Sequence, residues 1–499
     1  MAAGAADEGR TRTLGELGLA APDRREARIT GISVDSRTVR PGHLFAALPG
    51  SRIHGAEFVT YALRMQAAAV LTDAAGAARV RDAVAAAGVP LVVAEDPRQA
   101  LAYAAALWFE AQPETIVAVT GTNGKTSVAS FTRQIWAHLG AQSASLGTLG
   151  VEGAFAAPSG HTTPEPVALH ALLARMAQAG VTHLAMEASS HGLDQRRLDG
   201  VRMQAGAFTN LSQDHLDYHG DMDSYLQAKL GLWARVLPED ATAVVNLDDP
   251  ASDAVIATCR ARGHRLLGVG RREDARLRIL AQRPEATGQL LRLEWDRTPH
   301  TVQLSLIGAF QADNVALAAG LAIATGSDPG AVFGVLGRLE TVRGRMQHVA
   351  TRRNGAPVFV DYAHTPAALA TALQALRPHV IGRLVVVFGA GGDRDRGKRP
   401  MMGKAAADHA DVVYVTDDNP RTEEAGEIRA AIVQGCPEAN VVGDRAEAIL
   451  RAVDALQAGD ALLIAGKGHE TGQVVGDTVY PFDDAEQASI AVAALDGVP

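Results

Sequence analysis

A three-domain α/β protein is predicted: a central phosphate-loop domain with a mostly parallel sheet and an added antiparallel hairpin, a small α/β domain before it, and a Rossmann-like domain after it. Three observations carry this expectation. Apolar, β-branched runs of strand length alternate with helix-length stretches along most of the chain, the pattern of a parallel sheet covered by helices. The length, 499 residues, exceeds what one hydrophobic core accommodates. Residues 116–127, IVAVTGTNGKTS, join an apolar strand to a glycine-rich turn and a helix-forming run that continues to His138.

In that stretch the glycines let the backbone N–H groups of residues 121–126 (Gly121, Thr122, Asn123, Gly124, Lys125, Thr126) face an anion. The helix N-terminus, with Ser127 in its first turn, adds positive potential, and Lys125 adds a cation. Thr126 offers a hydroxyl to Mg²⁺. Val119 stands where the first glycine of G-x-x-x-x-G-K-[ST] belongs, so an ordinary strand-to-helix turn stays open on this stretch alone.

Composition bounds the class. With 47% hydrophobic and 21% charged residues the chain reads as a globular enzyme, and a net charge of -9 argues against a general nucleic-acid binder. Cys259 and Cys436 lie far apart, without metal or redox spacing, which fits a reducing compartment. The leading MAAGAADEGRTRT has no apolar core, and no bilayer-length stretch is free of charge, so a cytoplasmic protein without membrane insertion is expected. Basic positions are overwhelmingly arginine. The lysines are Lys125, Lys229, Lys398, Lys404 and Lys467, which makes each a candidate for chemistry that needs an ammonium.

Taken in order, residues 28–34 read as one strand, 57–67 as a helix, and 69–72 and 91–94 as buried strands, closing a first domain at 1–96. The second domain, 97–346, opens with a helix over 101–109. Strands follow at 183–186, 205–208 and 243–245, separated by helices over 167–178 and 224–236. Between 276 and 307 the period-two segments LRLEW and VQLSLI predict the hairpin, and 311–325 is helical. The third domain, 347–499, has strands at 358–360, 384–388, 412–415 and 461–464. GAGGDRDRG, after the strand at 384–388, fails the glycine spacing of a dinucleotide turn at Arg394.

Several constellations carry chemistry. Glu187 sits at the carboxyl end of a strand, where α/β folds bind ligands, and a hard carboxylate suits Mg²⁺. Asp214, His215, Asp217 and His219 crowd one loop, as metal or phosphate work or as an exposed polar loop. Lys229 reads either as a solvated cation or as a partly buried amine able to take up carbon dioxide as a carbamate. Asn314, Arg345, Asp361 and His364 follow, each open to a structural reading. In DNPR, Pro420 stiffens a turn and Arg421 presents a planar fork suited to a carboxylate, with Arg394 a second candidate. GKGHE puts Glu470 where an acid could receive an ammonium.

Together GTNGKTS, HTTPE, EASSHGL, NLSQDHLDYHGDM with a lysine on the next helix, GRMQ, DYAHTP, GGDRDRGKRP, DNPR and GKGHE resemble the Mur ligase family, in order, from about Val34 nearly to the C-terminus. The resemblance implies a monomeric, ADP-forming ligase that uses ATP and Mg²⁺ to join meso-diaminopimelate to UDP-N-acetylmuramoyl-L-alanyl-D-glutamate through an acyl phosphate. It assigns the phosphates to residues 121–127 and the nucleotide also to Asn314, Arg345 and Asp361. Thr126, Glu187, His215 and Lys229, carbamylated as N6-carboxylysine, would hold Mg²⁺. Val34, Ser36, Ser51, Arg52, Ile53, His161, Thr162, Thr163, Ser189, Gln195 and Arg197 would meet the UDP substrate. Arg394, Asp418, Asn419, Pro420, Arg421, Gly466 and Glu470 would meet diaminopimelate. Two departures bear on affinity: His161 stands where relatives often have asparagine, and Ser51-Arg52 replaces other polar residues. A lysine-adding or folylpolyglutamate-type relative is disfavoured by DNPR and the DSR turn, and a partner-coupled ATPase switch by the extent of the motif set.

Overall fold

The computed structural model describes residues 10–21, 26–50, 53–285 and 288–497; the expected site residues Ser51 and Arg52 lie outside them. The central sheet has ten strands, in the order Thr298–Leu304, Gly288–Trp295, Leu277–Glu285, Arg265–Gly270, Thr242–Asn246, Ala205–Phe208, Thr115–Thr120, His183–Glu187, Ser143–Gly147 and Gly150–Gly153. The apolar strand Thr115–Thr120 pairs in parallel with His183–Glu187 on one side and Ala205–Phe208 on the other. Strand order therefore reverses around it, and the phosphate loop that follows it emerges at the switch point, where such sheets open a crevice.

Both faces of this sheet are covered. On one, the helices Lys125–His138 and Phe310–Ala324 bury Phe131, Ile135, Trp136 and an alanine-rich stripe against Val117, Val119 and Val244. Alanine and Gly320 let the second helix lie close: a Cβ on Gly320 would stand 2.9 Å from Val244 Cγ1. On the other face Leu169, Leu173, Met176, Phe208 and Trp233 form a second core. The expected hairpin is larger than predicted. Leu277–Glu285 adds a third strand ahead of Gly288–Trp295 and Thr298–Leu304, making a meander that extends the sheet in parallel from Arg265–Gly270. A bulge between Ile279 and Ala281 interrupts the alternation that would have revealed that strand.

The predicted strand over 28–34 is two strands in different sheets: Arg28–Ile29 pairs antiparallel with Arg12–Thr13, whereas Gly31–Ser33 begins a parallel four-stranded sheet. Thr30 marks the break, its N–H bound to Gly42 O and its hydroxyl donating to Pro41 O. The helix Pro97–Phe109 starts four residues before the expected one, because Asp96 caps it and Pro97 sits in its first turn. Its Leu101, Ala104 and Trp108 share a core with Leu44 and Leu71 of the N-terminal sheet.

The C-terminal sheet runs Gln347–Thr351, Pro357–Asp361, Ala461–Ala465, Leu384–Phe388, Val412–Val415 and Asn440–Val441, parallel except for the first strand. Helices cover both faces, and a hairpin, Gly472–Val475 with Thr478–Pro481, follows its central strand. Between the helices Arg445–Asp454 and Asp484–Asp496, Arg445 and Asp484 form a wholly buried bidentate pair at 2.7 Å. Arg445 Nη2 also donates to Ala465 O at 2.9 Å, tying these helices to a strand's carboxyl end. Among the described residues no helix is long and apolar enough to cross a membrane.

Removing one partner of a buried pair strands the other charge, which costs about 3–5 kcal/mol, whereas an exposed pair contributes about 0–1 kcal/mol. Asp484→Ala is therefore expected to lower the calorimetric unfolding temperature by several degrees. Lys404→Ala, which breaks only the exposed Lys404–Asp408 pair, is expected to leave it within about a degree.

Candidate active site

The phosphate loop is built from contacts that only glycine permits. Gly121 has φ +143°, and a Cβ there would stand 1.9 Å from Thr209 Oγ1; Gly124 has φ +87°, with its Cβ position 2.5 Å from Asn314 Oδ1. Thr209 Oγ1 donates to Asn123 O at 2.6 Å, and Asn210 Oδ1 accepts from Asn123 N, so the next strand's exit buttresses the loop. Lys125 Nζ donates to Gly121 O at 2.9 Å and Thr122 O at 2.7 Å. Ser127 is buried in the first turn of the helix. Asn314, from the helix Phe310–Ala324 packed on the same face as the loop's own helix, thus reaches the loop, with its Nδ2 donating to Gln311 Oε1 at 3.1 Å.

Lys229 is buried, not solvated. It lies in the last turn of the helix Met222–Gly231, its Nζ donates to Gly121 O at 2.8 Å, and the Tyr225 ring centroid lies 4.3 Å away. Burial, then the nearby Lys125 charge, pulls its pKa well below that of a free lysine, which favours the neutral amine. His215 has a left-handed backbone (φ +54°) and a pKa lowered to about 4, chiefly by burial, so its imidazole is neutral at pH 7. Its neighbours are Asp214 and the ring of His191, and His219 is held by Ser190 Oγ at 3.0 Å. Glu187 is buried at the end of its strand. Its two oxygens accept from Thr148 N at 2.8 Å and Thr148 Oγ1 at 3.2 Å, and Gly147 leaves the room, since a Cβ there would meet Oε1 at 2.0 Å.

Thr163 gathers a neighbouring cluster. Its hydroxyl donates to Glu187 O and accepts from Ser189 N and Oγ, while Arg197 Nη1 donates to Thr163 O at 2.7 Å and Nη2 to Gln195 Oε1 at 2.8 Å. Thr162 Oγ1 lies 3.1 Å from Thr148 Oγ1. His161 is exposed at the edge of this group. Val34, Ser36 and exposed Ile53 belong to the N-terminal unit, and among the described residues no hydrogen bond joins them to Thr163. The seam between the two units is held by Asp96 with Arg196 (2.7 Å), and just inside the central unit Gln99 Nε2 donates to Asp199 Oδ2 (2.9 Å).

From the C-terminal side Arg345 crosses the cleft: Nη2 donates to Thr126 Oγ1 at 3.3 Å, and its guanidinium lies 4.4 Å from the Tyr362 ring centroid. Asp361 Oδ2 and Oδ1 accept from Met346 N and Ala363 N, which fixes the segment that carries Arg345. Asp418, Asn419, Pro420 and Arg421 leave the strand Val412–Val415, and Gly466 and Glu470 leave Ala461–Ala465. Gly466 has φ +111°, and a Cβ on it would meet Asp418 Oδ2 at 2.7 Å. Arg421 has φ +52°; its N–H donates to Val474 O, its C=O accepts from Gly476 N, and Nη1 donates to Gly392 O at 2.8 Å. Arg394 stands exposed on the facing loop, donating to Asp393 O.

Three family models match the chain: the Mur ligase middle domain over residues 119–322, the Mur ligase glutamate ligase domain over 344–468, and the Mur ligase family catalytic domain over 28–108. The chain belongs to the Mur ligase family. It is 52% identical, over 470 residues, to the UDP-N-acetylmuramoyl-L-alanyl-D-glutamate--2,6-diaminopimelate ligase of Bradyrhizobium diazoefficiens, covering 93% of this chain and 95% of that one. To the ligase of that name in Caulobacter vibrioides it is 49% identical over 477 residues (94% and 96%). A solved structure of a ligase of that name superposes with TM-score 0.70 at 33% identity, covering 97% and 99% of the two chains. A Mycobacterium tuberculosis folylpolyglutamate synthase complexed with ADP shares the fold at TM-score 0.61 and 21% identity, over 74% of this chain and 90% of that one.

The structure adds groups with no motif of their own. Thr148, which holds both oxygens of Glu187, follows a strand of small residues with no distinctive signal. Tyr218, whose hydroxyl accepts from Gln195 Nε2 and donates to Asp194 Oδ2, lies inside the HLDYHG run that drew attention for its acids and histidines alone.

His170 and His469 both resist protonation, with pKa values lowered to about 4 and about 3 mainly by burial. An unfolded imidazole titrates near 6.5, so between about 6.5 and 4 the unfolded chain binds more protons. Stability is complete above pH 6.5 and is expected to fall as pH drops through this window. Urea midpoints at pH 7 and pH 5 check this, and His469→Gln should make the decline shallower.

Proposed function

We propose that this chain is an ATP-dependent ligase that adds meso-diaminopimelate to UDP-N-acetylmuramoyl-L-alanyl-D-glutamate, releasing ADP and phosphate, in cytoplasmic peptidoglycan precursor synthesis. The observation that carries the reading is the near full-length identity, 52% and 49%, to ligases that bear this name. We take 1–96 as the UDP-substrate unit, 97–346 as the ATP unit and 347–499 as the amino-acid unit of a monomer.

In this reading the amides of residues 121–126 and Lys125 hold the β- and γ-phosphates, with Asn314 and Asp361 on the nucleotide and Arg345 on the transferring phosphoryl group. The substrate carboxylate oxygen attacks the γ-phosphorus, the β–γ bridging P–O bond breaks and ADP leaves. The amine of diaminopimelate, after losing a proton, attacks the acyl carbon; the C–O bond to phosphate breaks and the amide forms. Val34, Ser36, Ser51, Arg52, Ile53 and the Thr163 cluster, His161 to Arg197, orient the acceptor. Closure of the cleft that Arg345 already spans keeps water from the acyl phosphate.

The donor set fits Mg²⁺: a hydroxyl (Thr126), a buried carboxylate (Glu187), a neutral imidazole (His215) and, at Lys229, an amine whose burial favours the uncharged form that reacts with carbon dioxide. Few protein carboxylates and phosphate oxygens completing the shell is how Mg²⁺ is usually bound. Bound there, the metal would offset repulsion between carboxylate and phosphate. Arg421, Asp418, Asn419 and Glu470 recognise the amino acid, and a guanidinium left without the distal carboxylate would reject lysine.

ADP formation should need both the UDP-muramoyl dipeptide and diaminopimelate; release with neither, or only with a protein partner, would point to a nucleotide switch. Arg421→Ala is expected to lower kcat/KM for diaminopimelate by about two orders of magnitude while leaving ATP binding within about threefold. Lys229→Ala should lose activity that added short-chain carboxylates partly restore, and an unimpaired variant would remove the carbamate from the reaction.

A further inference from the structure

Five positions keep lysine in this arginine-rich chain. Lys125 and Lys229 belong to the phosphate loop's surroundings, Lys398 donates to His364 O, and Lys404 is an exposed partner of Asp408. Lys467 is different. It follows the strand Ala461–Ala465, is wholly buried, and directs its Nζ to Asn419 Oδ1 and Glu470 Oε2, both at 3.1 Å.

We propose that Lys467 is a positioning residue of the amino-acid pocket: it fixes the Asn419 amide and the Glu470 carboxylate in the orientation that receives the incoming ammonium group. This rests on the function proposed above. The argument is one of donors and acceptors. Asn419 Oδ1 accepts from Lys467 Nζ and from Val474 N at 2.9 Å, and both of these groups can only donate. That corner of the amide must therefore be the oxygen, which turns Nδ2 towards Glu470 Oε2 at 2.8 Å. Glu470 Oε2 then carries two donors, whereas Oε1 accepts from no described residue and belongs to a side chain that stays 31% exposed. One carboxylate oxygen is anchored and the other is left for the substrate.

Only a compact head with several rotatable donors spans these two acceptors from a buried stem, which accounts for lysine here where the chain otherwise prefers arginine. The anchor also links two segments. Asn419 belongs to the turn that carries Arg421, and Glu470 to the segment leading into the hairpin Gly472–Pro481, whose Gln473 Nε2 donates to Asp418 O at 2.7 Å. Lys467 thus couples the group for the ammonium end of the amino acid to the group for its distal carboxylate.

The test is steady-state kinetics on the full chain with Lys467→Met, an apolar side chain of similar length. Hydrogen bonds to charged groups contribute about 1.5–3 kcal/mol, so KM for diaminopimelate should rise about tenfold or more, with KM for ATP and for the UDP-muramoyl dipeptide within about twofold. In the Lys467→Met background, Glu470→Gln should add far less than it does alone. An equal rise in all three KM values, an unchanged KM for diaminopimelate, or additive losses would overturn the proposal. Should Lys467→Met fail to fold, Lys467→Gln is read by the same split, and failure of both to fold assigns Lys467 to stability and overturns the role. Wild-type ADP release that ignores diaminopimelate would instead sink the proposed function itself, and this role with it.

Discussion

Two buried lysine side chains converge on one carbonyl. Gly121 O accepts from Lys125 Nζ at 2.9 Å and from Lys229 Nζ at 2.8 Å, and among the described residues neither lysine is in an ion pair. A low-dielectric centre disfavours charge on either amine until anions arrive, which holds both pKa values below that of a free lysine, and much of the surrounding architecture follows from that constraint. The parallel sheet delivers the loop at its switch point, Thr209 and Asn210 brace it, and Tyr225 supplies an aromatic face rather than a counter-ion. The same constraint accounts for two proposed chemistries: a triphosphate stabilises the charge on Lys125, and carbon dioxide converts the neutral amine of Lys229 into a carbamate anion.

Around that centre the polar groups are fixed before any ligand enters. Glu187 is pinned by Thr148 and admitted by Gly147, Thr163 donates one hydrogen bond and accepts two more, and Asp361 holds the segment that brings Arg345 across the cleft. Such pre-set donors and acceptors cost little reorganisation at the moment of reaction. The larger sheets divide this labour: the phosphate loop leaves the middle one, and DNPR and GKGHE leave two strands of the C-terminal one that flank Leu384–Phe388.

How much of this could be read from residues alone depends on how local the cause is. The loop, the strand before it and the helix to His138 are legible because turn, β-branched run and helix are contiguous. Ser143–Gly147 and Gly150–Gly153 escaped, since small and polar residues form strands there only through their neighbours' pairing. The bulge at Ile279 hid a strand of the meander. Lys229 was ambiguous because nothing in its helix's spacing announces that the loop closes over it, and Lys467 because Asn419, one of its two partners, comes from a turn nearly fifty residues away in sequence. The motif set indicated which groups belong together, and the fold supplied the distances.

The hairpin after the central C-terminal strand grips Arg421 by its main chain through Val474 and Gly476, so the guanidinium's aim is set within a single sheet and its appendage. In the proposed reading, choice of amino acid would thereby be set apart from phosphoryl transfer in the neighbouring sheet. A lineage could retune the DNPR turn and this hairpin, acquire a different cross-link chemistry for its wall, and leave the phosphate loop and the Asp361-held Arg345 segment in place.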